Sequence, residues 1–171
     1  MPVKSENISE HQMHEEFIEV SSDLIKYLIE KIDQPVIAVG TTSLRTLESL
    51  YWLGLMISQD KNISSNELHL EQRFPYGNHE QPNVLSVLKI LLGWIERQPE
   101  KKLITKTKLL IVPGYHFKIV RGLITNFHQP HSTLLLLVAA FIGSAWKSVY
   151  TFALENDYRF LSYGDGCLFM P

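Results

Sequence analysis

The residues best suited to acid–base chemistry stand in one turn that opens an apolar helix. The segment GLITNFHQPHSTLLLLVAAFIG (122–143) places His128 and His131 just before the apolar run 134–142. An imidazole titrates near neutral pH, so either histidine could accept or donate a proton there. A surface imidazole or a hydrogen-bond anchor is an equally open reading of each histidine.

The same turn carries further polar groups. Ser132 and Thr133 are suited to cap the helix, and Pro130 stiffens its approach. The free amides and the dipole of a helix N-terminus favour polar or anionic ligands. Asn126 fits such a ligand site, or a structural hydrogen bond inside the turn.

A second polar turn, VGTTSLRTLES, links an apolar run to a predicted helix. Gly40 allows close backbone approach to a ligand, and Thr41, Thr42, Ser43 and Arg45 follow it. The turn is neither a dinucleotide-binding fingerprint nor a phosphate-binding P-loop. It predicts contact with a carboxylate, phosphate or ribose hydroxyl, with simple helix capping as the alternative.

Three other groups give weaker signals. Tyr163 and Asp165 lie in the glycine-rich SYGDG, which ordinary turn formation also explains. His11 and His14 have the spacing of a metal pair, but a strand-like context and the lack of a third ligand argue against metal. The basic run 101–108 is predicted as a solvated connection that could touch phosphates.

Hydrophobic periodicity predicts strands that alternate with helices. Strands are expected at 14–20, 36–39 (buried on both faces), 109–112, 122–127 and 158–164. Helices are expected after Ser21–Ser22, after Ser43, over 84–97, over the apolar run 134–142 and over 144–156, with residues 57–83 irregular. This pattern predicts one three-layer αβα domain over residues 1–171 with a mostly parallel sheet.

Composition narrows the class of protein. The formal net charge is −2 and charged residues make up 20% of the 171, so this is not a small basic nucleic-acid module. One cysteine excludes an intramolecular disulfide. The longest apolar stretch is shorter than the roughly 20 residues that span a bilayer. We therefore predict a cytoplasmic protein with no membrane partner.

Taken together, the clusters resemble one family. PVKSENISEHQMHEEF, IAVGTTSLRTLES, PGYHFKIVRGLITNFHQPHSTLLLLVAAFIG and YRFLSYGDGCLFM are similar, in this order, to the S-adenosylmethionine:tRNA ribosyltransferase-isomerases of queuosine biosynthesis. The resemblance is weakest over 59–108. Arg121 stands where the family usually has an acidic residue, Gln129 where it has Leu, and Gly166-Cys167 where it has Ala-Met.

The resemblance implies the chemistry of the family. The ribosyl part of S-adenosylmethionine is transferred to preQ1 in tRNA and isomerised to epoxyqueuosine, with release of adenine and methionine. It implies His128 as the base, with Asp165 or Tyr163 orienting it or a substrate hydroxyl, and Phe127 or Tyr115 facing the sulfonium. No metal and no cofactor beyond S-adenosylmethionine as co-substrate are expected.

Length is the main departure from the family. Its members normally carry an N-terminal half that includes a β-barrel domain and the opening part of the α/β domain, and we expect this half to be absent here. Two alternatives to a complete enzyme stay open. One is a non-catalytic fragment that binds S-adenosylmethionine or tRNA and needs the missing half; the other is a purely structural α/β domain.

Overall fold

The computed structural model describes residues 13–130 and 132–170, which form two compact units. Unit 1 contains residues 36–45 and 110–170, and unit 2 contains residues 13–35 and 46–109. The strands are β1 (Glu16–Ser21), β2 (Val36–Val39), β3 (Lys102–Thr107), β4 (Val120–Asn126) and β5 (Gly166–Phe169). The helices are α1 (Ser22–Glu30), α2 (Thr41–Gln59), α3 (Val84–Glu96), α4 (Thr133–Ile142) and α5 (Ala145–Glu155), with a short 3-10 turn at Phe74–Tyr76.

Unit 2 is built on an antiparallel ribbon of β1 and β3. The register runs from Glu16 opposite Thr107 to Ser21 opposite Lys102. Buried and exposed side chains alternate strictly along β3. Residues 102–107 of the run 101–108 therefore form a strand and not the loop predicted, because the exposed Lys102, Ile104 and Lys106 alternate with buried residues at the two-residue period of a strand.

The helices of unit 2 begin at side-chain caps. Ser21 Oγ accepts a hydrogen bond from the Leu24 amide at 3.3 Å, which confirms the predicted start of α1. Asn83 Oδ1 accepts from the Ser86 amide at 2.8 Å and opens α3. Gly54 lets α2 approach α3 closely, since a Cβ there would lie 2.8 Å from the Val87 carbonyl oxygen.

Unit 1 contains a three-stranded sheet in the order β2-β4-β5. Strands β2 and β4 are parallel, whereas β4 and β5 are antiparallel. The α/β class is thus confirmed, but the sheet is not mostly parallel within the described residues. The physical reason is that, after α4 and α5, the loop 157–165 brings the chain back to the end of β4 at Asn126, so β5 begins there and runs in the opposite direction.

Three predicted strands need correction. Residues 109–112 lie outside the strands, although Leu109, Leu110 and Ile111 are buried. Residues 158–164 form a loop, and the terminal strand lies at 166–169 instead. The strand 36–39 is confirmed, but it is not buried on both faces, because Ile37 is 44% and Val39 67% exposed.

Helices α4 and α5 form a bent, largely apolar pair. No single helix in the described part of the chain is long and apolar enough to cross a membrane. The two helices reach that length and composition only together, with a bend of 118° between them. Leu137, Val138 and Phe141 of α4 are buried within the protein.

Candidate active site

Three sequence clusters meet at one edge of the β2-β4-β5 sheet. The Gly40 amide, just after β2, donates to the Ile124 carbonyl of β4 at 2.8 Å. Two residues further along β4, Asn126 Nδ2 donates to the Gly164 carbonyl at 3.0 Å, and Asn126 pairs with Gly166. The carboxyl ends of the parallel strands β2 and β4 thus lie beside the loop that precedes β5, the edge where open α/β sheets bind ligands.

The first cluster is the turn between β2 and α2. Gly40 has φ +90°, a left-handed conformation that side chains rarely adopt, and its carbonyl accepts from the Leu44 amide at 3.1 Å. Thr42 and Ser43 are exposed on the first turn of α2, with Thr41 half-buried beside them. Arg45 is buried, in contrast to the exposed position expected of a simple surface contact.

His128 is the buried imidazole of the second cluster, with 9% of its surface exposed. Its Nε2 lies 3.0 Å from Thr125 Oγ1, and its backbone amide donates to the Tyr150 hydroxyl at 3.1 Å. Burial lowers the pKa of His128 below the ordinary value of 6.5, which keeps the ring neutral at physiological pH. Within the described residues, Nδ1 makes no hydrogen bond.

Sequence reasoning missed the two residues that hold His128. Thr125 stands three residues before it, inside a strand pattern that suggested only packing, and Tyr150 is on α5, far along the chain. A threonine at this spacing is a recognisable local signal, whereas the contact from Tyr150 depends on tertiary structure. Burial also raises the pKa of the Tyr150 hydroxyl.

The start of α4 is fixed by Ser132. Its Oγ accepts from the Leu135 amide at 3.1 Å and donates to the Gln129 carbonyl at 2.7 Å, which confirms the predicted cap. Thr133 is buried at the first position of the helix. His131 lies outside the described residues.

The two aromatic residues that were expected to face the sulfonium are packed against other side chains of the protein. Phe127 is buried, and its ring centroid lies 5.3 to 5.6 Å from those of Tyr150, Tyr158 and Phe160. Tyr115 is also buried, with an edge contact to Phe117. Both rings therefore stabilise unit 1, and their contact with a sulfonium stays a prediction.

Asp165 fastens the loop before β5. Its carboxylate accepts from the Arg159 amide at 2.7 Å and from Arg159 Nη2 at 3.3 Å, and its own amide donates to the Arg159 carbonyl at 2.8 Å. These hydrogen bonds from Arg159 lower the pKa of Asp165. The carboxylate is engaged by Arg159, and Nε2 of His128 is engaged by Thr125. Neither Asp165 nor Tyr163 therefore orients the base through Nε2, and orientation of a substrate hydroxyl by one of them stays a prediction.

The loop held in this way presents Tyr163 to solvent. The Leu161 amide donates to the Phe127 carbonyl at 2.9 Å, and the Gly164 amide donates to the Leu161 carbonyl at 2.8 Å. Tyr163 nevertheless has 98% of its surface exposed. A well-bonded loop with an aromatic ring at its tip can stack on a planar ligand at little entropic cost.

The order and content of these clusters match one protein family throughout the chain. The sequence profile described as "Queuosine biosynthesis protein" matches residues 1–169. The chain belongs to this family.

Curated relatives in the queuosine biosynthesis family carry one name. S-adenosylmethionine:tRNA ribosyltransferase-isomerases from Halothermothrix orenii and Thermotoga petrophila are 38% and 36% identical to this chain over 99% of its length. The alignment spans 38% of each relative, so the chain covers less than half of their length. The crystal structure of the S-adenosylmethionine tRNA ribosyltransferase from Thermotoga maritima is also similar, with a TM-score of 0.56 and 32% identity over 89% of this chain and 39% of that one.

Two further features predicted from the sequence lie in unit 2. His14 is exposed, 3.7 Å from Glu16, and the described residues contain no cluster of three or more metal-ligating side chains; His11 lies outside them. The lysines of β3 are paired with acids, Lys102 with Glu19 at 2.6 Å and Lys106 with Glu15 at 2.8 Å. These pairs neutralise the run that could have bound phosphates.

Proposed function

We propose that this chain is part of an enzyme that transfers and isomerises the ribosyl moiety of S-adenosylmethionine onto preQ1 in tRNA. The products are epoxyqueuosine-tRNA, adenine and methionine. The observation that carries the proposal is the family match over residues 1–169, whose polar clusters lie together at one sheet edge. This function implies S-adenosylmethionine and tRNA as the partners of the protein, and the cytoplasm as its compartment.

His128 is the base in this proposal. The sulfonium of S-adenosylmethionine acidifies the adjacent ribose C5′–H, so a neutral imidazole is strong enough to take that proton once the carbanion is stabilised by sulfur. If Nε2–H donates to Thr125 Oγ1, the lone pair of Nδ1 is left to accept the proton. The lowered pKa supports this role, because it keeps the ring unprotonated.

The turn after β2 is the proposed contact for the polar parts of S-adenosylmethionine. The backbone at Gly40 and the exposed hydroxyls of Thr42 and Ser43 can bind a carboxylate or ribose hydroxyls at the N-terminus of α2. The remaining substrate contacts predicted from the sequence are Thr41, Arg45, Asn126, Phe127, Ser132 and Thr133. Asn126 and Ser132 make hydrogen bonds within the protein, and Arg45, Phe127 and Thr133 are buried, which favours a structural contribution to the site, whereas Thr41 is half-buried.

Asp165 and Tyr163 act together in this proposal. The contacts of Asp165 support a positioning role, since its carboxylate binds Arg159 within the same loop. Tyr163 then stacks on adenine or on an anticodon base, as exposed aromatic rings do in proteins that bind splayed nucleotides. A catalytic role for Asp165 itself would require a proton transfer that its lowered pKa disfavours.

We propose that the rest of the enzyme is formed by the part of the family protein that this chain does not span. That part would include the β-barrel domain and would complete a three-layer αβα domain with residues 1–171. An enclosed site strengthens electrostatic stabilisation of a developing charge, so turnover is expected to need both parts. The neutralised lysines of β3 also favour tRNA contacts outside this chain.

The test is release of adenine from S-adenosylmethionine in the presence of preQ1-tRNA. We would compare the chain alone with an extended protein, defined as this chain fused to the part of the Halothermothrix orenii relative that it does not span. The extended protein should turn over. His128→Asn should reduce the rate by about 10²–10⁴-fold, the usual contribution of a general base. His116→Asn, an exposed histidine of unit 1, is the matched control.

Two results would overturn the proposal. A folded extended protein that is stabilised by S-adenosylmethionine in a thermal shift but releases no adenine would support the non-catalytic binding fragment. An extended protein that shows neither the shift nor turnover would support a structural domain.

A further inference from the structure

We infer that the loop 157–165 positions His128, and that this depends on Gly164 at the neck of the loop. The inference rests on the proposed function, in which His128 is the base, and it gives the loop a role that presentation of Tyr163 does not require. Gly164 is a positioning residue in this sense, since it acts on the reaction through His128.

The two residues before His128 are bound to the loop. The side-chain amide of Asn126 donates to the Gly164 carbonyl at 3.0 Å. The Phe127 carbonyl accepts a hydrogen bond from the Leu161 amide at 2.9 Å. Because both bonds precede the base directly, a displacement of the loop would displace the backbone that carries the imidazole.

A ring of the loop also supports the contact that holds the His128 amide. That amide donates to the Tyr150 hydroxyl at 3.1 Å. The ring centroid of Phe160, in the loop, lies 5.9 Å from that of Tyr150 and 5.3 Å from that of Phe127. The loop thus packs against the residue before the base and against the residue that binds its amide.

Gly164 allows the loop to close at its neck. A Cβ at this position would overlap the Arg159 carbonyl oxygen and lie 2.6 Å from the Phe160 carbonyl carbon. Hydrogen bonds hold these strands of the loop together, since the Asp165 amide donates to the Arg159 carbonyl at 2.8 Å and the Gly164 amide donates to the Leu161 carbonyl at 2.8 Å. Any side chain at position 164 would therefore force the neck apart.

Leu161 is held in a conformation that it would not keep by itself. Its φ is +71°, in the left-handed region where a bulky side chain is rarely found. Such a backbone persists when the surrounding bonds over-determine it, and here the Leu161 amide binds Phe127 while its carbonyl binds Gly164. Opening the neck would release the carbonyl, let Leu161 relax and withdraw its amide from Phe127.

Thr125 and the loop control different parts of the base. Thr125 Oγ1 contacts Nε2 of His128 and orients the ring, whereas the loop sets where the backbone of His128 lies. Proton transfer requires the base within hydrogen-bonding reach of its substrate, and a misplacement of about 1 Å can cost roughly 10²-fold in rate. We therefore expect the loop to affect the chemical step more than substrate affinity.

Gly164→Ala tests the inference in the chain alone. Its methyl group should open the neck, so hydrogen exchange of the Leu161 and His128 amides should accelerate by at least about tenfold while the amides of α3 keep their protection. Gly166→Ala is the matched control, because a Cβ there would meet nothing nearer than the Thr125 carbonyl oxygen at 3.9 Å. Unchanged exchange in Gly164→Ala would overturn the inference.

The imidazole of His128 gives a readout that loosening of the loop alone would not move. Burial lowers the pKa of His128, so displacement of the ring toward water in Gly164→Ala should raise this pKa toward 6.5 in an NMR titration. Phe160→Leu, which removes the ring contacts to Phe127 and Tyr150, should shift the pKa in the same direction and replaces Gly164→Ala if that variant folds poorly. A His128 pKa that stays unchanged would overturn the inference, since the loop would then move without the base.

In the extended protein, the kinetic constants separate positioning from binding. At saturating substrates, Gly164→Ala should lower kcat for adenine release about 10²-fold, and Gly166→Ala should keep it. Tyr163→Ala, which removes the exposed ring but leaves the neck closed, should raise KM instead. A loss confined to KM in Gly164→Ala would count against positioning of the base.

The inference and the proposed function fail separately. A raised His128 pKa in Gly164→Ala, with an extended protein that releases no adenine, would uphold the link between the loop and His128 and count against the enzyme. Full turnover by the extended Gly164→Ala protein would uphold the enzyme and overturn the inference.

Discussion

Nε2 of His128 lies 3.0 Å from Oγ1 of Thr125, three residues earlier at the end of β4. This contact fixes one ring nitrogen of a buried imidazole, and within the described residues the other makes no hydrogen bond. We therefore expect Thr125→Val to lower adenine release by the extended protein about tenfold or more, since a lost buried hydrogen bond costs about 1–3 kcal/mol. Thr125→Ser should restore most of the rate. A rate that is kept in Thr125→Val and lost in Thr125→Ser would show that the methyl group and not the hydroxyl matters.

The buried ring of His128 should make stability depend on pH. Its pKa is lowered in the folded chain, so below the ordinary value of 6.5 the unfolded chain takes up the proton more readily. The free energy of unfolding should be fully maintained above about pH 6.5 and fall as the pH drops toward the folded pKa. Urea titrations between pH 7.5 and 5 should show a smaller fall for His128→Asn. Parallel pH profiles for the two proteins would contradict the assigned burial effect.

Asp165 should act through the loop that it holds. Asp165→Ala removes the carboxylate that binds Arg159, so amide hydrogen exchange of Arg159 and Leu161 should accelerate in the chain alone. Glu155→Ala, an exposed carboxylate at the end of α5, is the control. If Asp165→Ala abolishes turnover of the extended protein without altering hydrogen exchange, Asp165 takes part in the reaction itself and does not act by holding the loop.

Tyr163 should contribute to binding and not to stability. With 98% of its surface exposed, Tyr163→Ala should change the free energy of unfolding by less than about 0.5 kcal/mol. Stacking on a base is worth about 1–3 kcal/mol, so the same variant should weaken substrate binding by the extended protein roughly 5- to 150-fold. Tyr163→Phe keeps the ring and should bind nearly normally. A binding constant unchanged in Tyr163→Ala would remove the ring from the site.

Two glycines in helices of unit 2 should respond in opposite directions to alanine. In Gly54→Ala the new methyl group meets Val87 Cγ1 at 2.7 Å and the Val87 carbonyl at 2.8 Å, so we expect a loss of about 1–3 kcal/mol. Gly93 on α3 has open space around it, and Gly93→Ala should stabilise by about 0.5–1 kcal/mol. Thermal unfolding of both variants gives the comparison. A neutral Gly54→Ala would mean that the two helices can separate at no cost.

The local elements of this fold could be predicted from sequence, and the pairing of strands could not. Ser21 and Ser132 mark helix starts by chemistry that acts within three residues, so both caps were predicted correctly. The apolar run 109–112 looks like a strand, yet strand formation depends on partners that periodicity does not report. The loop 158–164 depends on Asp165 and Asn126 binding backbone groups at a distance.

Some residues of the candidate site could likewise be predicted from the sequence, and others could not. His128 and the Gly40 turn could be found from residue type and position in a turn. Thr125 was missed although it stands only three residues before His128, whereas Tyr150 could not be found, because a hydroxyl on a distant helix gives no sign of what it binds until the chain is folded.

The ion pairs of the β1–β3 ribbon have a consequence for self-association. Within the described residues β1 pairs only with β3, so its outer edge offers backbone groups on which another strand could add. Phe17 and Ile104 on the exposed face would reward such growth, but Glu15–Lys106 and Glu19–Lys102 flank them. An incoming strand would have to strip water from these four charges, and charged edges of this kind keep natural sheets from polymerising.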